Sequence, residues 1–197
     1  MKKIISLLTA ICIIISLTAC GSTVAANTTA NTKTGRIYKC DYKTLNINTK
    51  ITTILNGEEI SISGNVLTLM IDPLTVKDSN GNILGYAGDS YGIISQDDHG
   101  IYIGDKFDIN MCGNIELFGE SYTLKDSNGD TVATALFNMN NTGGTIKDVN
   151  NNLIAKYTSS LFMNDYIITI YDNNICSDLS ILMIVASYVS DYMADRR

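Results

Sequence analysis

Residues 179–193 read LSILMIVASYVSDYM, and this stretch decides the fold. No Gly or Pro interrupts it. Its only polar groups before Asp191 are Ser180, Ser187, Ser190 and the Tyr188 hydroxyl. A helix lying on a surface carries an apolar stripe with a polar back. Here the apolar run Ile181 to Ala186 passes through more than one full turn, so no side of the helix is left for water. Such a helix must be surrounded. Ser177 and Asp178 supply an N-cap and a first-turn acid, which starts it over 178–194. The near-apolar part is only half of the roughly 20 residues that a membrane span needs. Its last turn, with Asp191, Asp195, Arg196 and Arg197, is expected to emerge into water.

What surrounds the helix is written upstream as a recurring turn. Lys77-Asp78-Ser79-Asn80-Gly81-Asn82, Lys125-Asp126-Ser127-Asn128-Gly129-Asp130 and Lys147-Asp148-Val149-Asn150-Asn151-Asn152 each follow one strand-like run and precede another. Asn-Gly between such runs is a strong hairpin signal, because both residues tolerate positive φ. Asn56-Gly57, the looser Asp97-Asp98-His99-Gly100 and Tyr171-Asp172-Asn173-Asn174 extend the series. The near-identity of the first two turns over KDSNG suggests an internal duplication. Position 129 is expected to need positive φ, while Gly35 only begins the ordered chain.

The runs between turns alternate or are β-branched, as strands do. They include 64–71, 100–107, 114–118, 122–124, 131–137, 144–147, 153–157 and 166–171, the last as a central strand. Pro73 lacks an N–H, which places its strand at an edge, a start or a bulge. Ten to twelve strands are expected between 36 and 175. The simplest way for such a chain to bury a wholly apolar terminal helix is a closed antiparallel barrel threaded by it, which also removes exposed sheet edges. A β-sandwich capped by the helix is the alternative.

The hairpins at 74–84, 122–132 and 146–154, together with the helix, resemble the tubby C-terminal-like fold in its LURP-one-related, scramblase-like branch. The likeness covers residues 36–197 as one domain. It implies about twelve strands around a central hydrophobic C-terminal helix. Tubby proteins bind phosphoinositide headgroups through basic side chains, and the scramblase-like branch includes calcium-responsive members. No residue of this chain is assigned to either role.

The other end of the chain is an address. Lys2 and Lys3 precede an apolar segment from Ile4 to Leu17, the charge order and length of a secretory signal. Leu17-Thr18-Ala19-Cys20 follows directly and resembles the lipobox of bacterial lipoproteins. The likeness implies that residues 1–19 are removed and that Cys20 is lipidated as the new N-terminus. Ordinary secretion with cleavage near Ala25-Ala26 is the competing reading. Residues 20–35 are small and polar with almost no apolar payload, and read as a flexible tether.

Composition limits the chemistry. The 197 residues carry 14 Lys and Arg against 20 Asp and Glu, a formal charge of -6. Loss of Lys2 and Lys3 with the signal leaves 12 against 20, or -8. This balance disfavours a nucleic-acid backbone as partner. Cys40, Cys112 and Cys176 remain after export, allowing at most one disulfide in three possible pairings, and buried free thiols are the expected state. With a single histidine, no zinc set is expected.

Asp126-Ser-Asn128-Gly-Asp130 looks like the start of an EF-hand loop, but Thr131 and Phe137 stand at its sixth and twelfth positions, so a plain turn is expected. Asp97, Asp98, His99 and Ser95 read as a surface loop. The tyrosines, including Tyr86, Tyr91, Tyr102, Tyr122 and Tyr157, can form a carbohydrate or peptide platform but are expected mainly in barrel walls. No catalytic, cofactor-binding or metal-binding residue is assigned.

The resulting expectation is a non-enzymatic, lipid-anchored protein on the outer face of the bacterial cell membrane, held through lipid on Cys20, with a binding or structural role. A lipid-interacting, scramblase-like module is the alternative, favoured if an apolar or basic rim lies beside the tether. An exported hydrolase is the third.

Overall fold

The computed structural model describes residues 34–45, 48–65, 74–89, 98–116, 119–159 and 165–194, and among these twelve antiparallel strands and one helix follow one another. The strands are β1 Arg36–Leu45, β2 Asn48–Leu55, β3 Glu58–Asn65, β4 Leu74–Lys77, β5 Ile83–Asp89 and β6 Asp98–Ile103. They continue as β7 Lys106–Glu116, β8 Gly119–Lys125, β9 Thr131–Asn138, β10 Gly143–Asp148, β11 Leu153–Ser159 and β12 Asp165–Ile170, and the helix α1 is Asp178–Ala194. Each strand pairs with its sequence neighbours and β12 pairs with β1, so the sheet closes into a barrel. The barrel and its helix belong to one compact unit, Lys33–Arg197. The signal, Cys20 and the tether up to Lys33 lie outside the described residues.

The barrel is filled by the helix. Every residue from Ser180 to Ser190 is buried, on all sides of α1. The strands supply the other half of this core by alternation, as the pleat requires. In β9, Ala133, Ala135 and Phe137 face inward while Thr134 and Leu136 face out. The small alanines on that wall leave room for the helix. Farther along, Tyr188 stacks on Phe137 with ring centroids 3.9 Å apart, and the Tyr122 and Tyr157 rings meet it edge-on. The Tyr188 hydroxyl donates to the Asn138 carbonyl at 3.0 Å, so the buried phenol is satisfied. β12 shows the same alternation, with Tyr166, Ile168 and Ile170 inside and Ile167 outside.

The three KD turns share one geometry. Gly81, Gly129 and Asn151 each donate their N–H back to the carbonyl of Asp78, Asp126 or Asp148, and each has positive φ. The register slips in the wall beside every one of them, between Val76 and Lys77, Leu124 and Lys125, and Ile146 and Lys147. A turn followed by a left-handed residue and a bulge is the G1 arrangement. Only the last position needs positive φ here. Among the described turns, both residues adopt it only at Asn56-Gly57, the two-residue turn between β2 and β3. The EF-hand-like pattern is explained by the turn itself. Oδ1 of Asp126 accepts the N–H groups of Asn128 and Asp130 at 2.9 and 3.0 Å.

The structure corrects the expectations for residues 98–107, for residues 171–174 and for Gly35. Residues 98–100 form the start of β6 and not a turn; the chain reverses instead at Gly104-Asp105, so 100–107 is split between β6 and β7. Gly104 can take the φ of 57° that this reversal uses. Residues 171–177 are likewise no hairpin, because β12 is the last strand and the chain there turns into α1. Gly35 is not an idle position: a Cβ there would lie 2.5 Å from Thr169 Cγ2, whereas Gly129 has open space around it and is constrained by φ alone. The expected strand 64–71 is observed only as the end of β3 at Gly64 and Asn65; the rest of it, Pro73, Tyr91, Ser95 and Asp97 lie outside the described residues, as do Asp195, Arg196 and Arg197.

Candidate functional site

The thiols come first, being the most reactive groups that the sequence offers. None of Cys40, Cys112 and Cys176 is in a disulfide. Cys40 points into the barrel from β1, beside Tyr166 on β12, and burial pushes its thiol up to about 11. Cys176 is buried just before α1, where burial and the Asp108 carboxylate push it up to about 12. Thiols held protonated in this way are poor nucleophiles at neutral pH. Cys112 is half-buried on β7 and accepts a hydrogen bond from Asn110 Nδ2 at 3.3 Å. His99 is buried in β6, opposite Met111 of β7. Among the described residues, no group of three or more His, Cys, Asp and Glu side chains is placed to hold a metal.

The polar constellation that the sequence did not announce sits where α1 enters the barrel. Arg36, in the first position of β1, grips Asp178 with two hydrogen bonds, Nε to Oδ2 at 2.7 Å and a second from its terminal nitrogen to Oδ1 at 2.8 Å. The Tyr38 hydroxyl donates to the same carboxylate. The partners are 142 and 140 residues apart in the chain, so no local pattern could have revealed them. Beside them, Ser177 Oγ accepts the Ser180 N–H at 3.1 Å, the N-cap that the sequence predicted. Ser180 Oγ in turn donates to Asp108 on β7. The first turn of the helix is therefore tied to β1 and β7. This arrangement positions a helix. It presents no activated nucleophile.

Burial alone raises the Asp178 carboxyl, but the bonds from Arg36 and Tyr38 outweigh it and hold the group below its ordinary value. A folded value below the unfolded one means that the clamp contributes above the unfolded carboxylate range and is lost as pH falls through the folded value. The melting temperature of an Asp178→Asn variant is accordingly expected to lie below wild type at pH 7. The gap should narrow as pH falls below about 4, the ordinary aspartate range. Thermal melts across that pH series check this, and a gap independent of pH would show that the carboxylate charge contributes nothing.

The tyrosines of the strands divide into two groups. Tyr122 and Tyr157 belong to the interior, as expected of wall residues. Tyr86 and Tyr102 face outward, directly opposite each other on β5 and β6, and their rings stack with centroids 4.4 Å apart. Phe107 of β7 meets Tyr102 edge-on at 5.4 Å. This is the half-exposed aromatic strip of the described surface. The exposed aliphatic residues Ile37 and Ile167 lie elsewhere, on β1 and β12, next to Lys39.

No family model matches the chain, and no curated protein matches it. Among solved structures it is similar to an X-ray structure of a protein from Arabidopsis thaliana. The two share 12% identity over 82% of this chain and 92% of that one, with a TM-score of 0.34.

Proposed function

We propose that the chain is a lipid-anchored protein of the bacterial cell surface, built on a tubby-like, LURP-one-related barrel, that binds or supports another molecule and performs no chemistry on it. The observation that carries this reading is the pairing of LTAC, ending at Cys20 directly behind an apolar export segment, with a barrel whose lumen is filled by its own helix. A filled lumen leaves the outer wall as the surface on which a partner is met. The raised Cys40 and Cys176 thiols support a non-catalytic role in the same direction. In the mature protein, lipid on Cys20 would hold the barrel to the outer face of the membrane, and two or more acyl chains would make that attachment stable.

A specific observation also favours the scramblase-like, lipid-interacting alternative. Ile37, Ile54 and Ile167 are exposed on β1, β2 and β12, and Lys39 of β1 lies opposite Ile167. Cys20→Ser separates anchoring from such secondary contacts. The variant is expected to incorporate no fatty-acid label and to appear in the culture medium. Equal labelling of wild type and variant would refute the anchor.

A further inference from the structure

The sheet register aligns one row of outward side chains across six adjacent strands. Lys43 of β1 lies opposite Lys50 of β2, Lys50 opposite Ser63 of β3, and Ser63 opposite Thr75 of β4. Thr75 lies opposite Tyr86 of β5, which is opposite Tyr102 of β6. The row is ordered by chemistry. Two exposed lysines stand at one end, two small hydroxyl residues in the middle, and the stacked tyrosines at the other. The next row runs from the exposed Asp41 of β1, opposite Thr52 of β2, through Ser61 of β3 to the exposed Lys77 of β4, so its two short residues extend the floor between a carboxylate and a third lysine.

Relief follows from side-chain size. Ser61, Ser63, Thr52 and Thr75 are short, so the surface over β3 and β4 is a shallow trough. Tyr86 walls it on one side and Lys50 on the other, three strand spacings or about 14 Å apart. The 4.4 Å separation and the 14° between the Tyr86 and Tyr102 rings match the strand spacing, so the rings stand side by side along the row. The second face of Tyr86 is then directed across the trough. Its other face is held by Tyr102, which fixes the ring in place. At the far end, like charges directly opposite each other, as Lys43 and Lys50 are, cost stability in a bare sheet. They suit an anionic partner.

We infer that this trough binds an acidic glycan, with a sugar ring against Tyr86, its hydroxyls on the Ser and Thr floor, and a carboxylate at Lys43 and Lys50. Three features select that occupant. The floor is hydroxyl-bearing and not apolar, which fits sugar hydroxyls better than an acyl chain or a hydrophobic peptide. The aromatic face takes the C–H side of a pyranose ring. Lys43 and Lys50 are an exposed, directly opposed cation pair, with Lys77 on the neighbouring row, in a protein of net charge -6, so an anion is drawn to this end of the row although Asp41 lies beside it. The inference deepens the surface-binding reading, which determines only where such a glycan would be met.

The test is affinity electrophoresis of the purified full-length protein in detergent, through gels containing polygalacturonate, dextran or polyglutamate. Retardation by polygalacturonate is expected, with binding to neutral dextran and to sugar-free polyglutamate each at least about tenfold weaker, or 1.4 kcal/mol. Tyr86→Ala and Lys50→Ala should each weaken polygalacturonate binding several-fold, while Tyr86→Phe, which keeps the aromatic face, should bind as wild type does. Unchanged thermal melts would show that the variants remain folded. No retardation by polygalacturonate, or equal retardation by polyglutamate that Tyr86→Ala leaves unchanged, would overturn the trough. Neither result bears on lipidation of Cys20, which fatty-acid labelling decides separately.

Discussion

Ile184→Asp is expected to abolish the cooperative unfolding transition of the barrel. Ile184 is fully buried at the middle of α1, and its neighbours Met183 and Val185 are buried too, so the helix cannot rotate to bring the new carboxylate to water. A carboxylate enclosed without a partner costs several kcal/mol even after relaxation or protonation. A domain of this size has only about 5–15 kcal/mol in total. Truncation before Ser177 should have the same result by another route, since it empties the lumen of the side chains against which Phe137, Tyr122 and Tyr157 pack. Thermal unfolding of the 21–176 fragment beside residues 21–197 measures this directly. A fragment that melted cooperatively near the intact midpoint would mean that the strands close without the helix, and that α1 is an accessory.

Gly85→Ala is expected to be nearly as damaging, although it adds a single methyl group. A Cβ at position 85 would sit 2.3 Å from the backbone carbonyl oxygen of Tyr102, with Met183 Sδ at 3.4 Å behind it. The obstacle is main chain belonging to the neighbouring strand, so it cannot swing aside as a side chain could. Relief requires β5 and β6 to separate, and in a closed barrel that displacement passes to the strands on both sides. Gly81→Ala, four residues earlier, is the informative comparison. That glycine has no atom within 4 Å of its Cβ position and is constrained only by its φ of 86°. The strain there is of the order of 1–3 kcal/mol. Urea unfolding of both variants is expected to show a substantially lower midpoint for Gly85→Ala. Equal midpoints would show that β5 and β6 accommodate the methyl group without separating.

These two glycines illustrate which parts of the fold the sequence carried. Gly81 was legible, because Asp78, Asn80 and the flanking runs mark a turn within six residues, and the physics of that turn is local. Gly85 was not, because the atom that forbids a side chain there comes from the neighbouring strand β6. The same division explains the errors. Gly100 looked like turn punctuation and proved to be a strand residue, with the Tyr102 ring against its Cβ position. Gly35 looked like the start of the ordered chain and proved to be packed against Thr169 of the closing strand.

The sequence by itself determined the class of the architecture. Turn chemistry repeated along the chain dictates hairpins, and a helix apolar on every side must be enclosed, since no surface position satisfies it. Both follow from periodicity and from the local conformational preferences of Asn, Asp and Gly. What only the tertiary structure decided are the contacts that close the barrel and decorate it. The grip of Arg36 and Tyr38 on Asp178 joins the first strand to the helix that follows the last. The row from Lys43 to Tyr102 exists because register sets residues of six strands side by side. Register depends on bulges and on the fit of interior side chains around one helix. Those are properties of the closed sheet, and no single segment contains them.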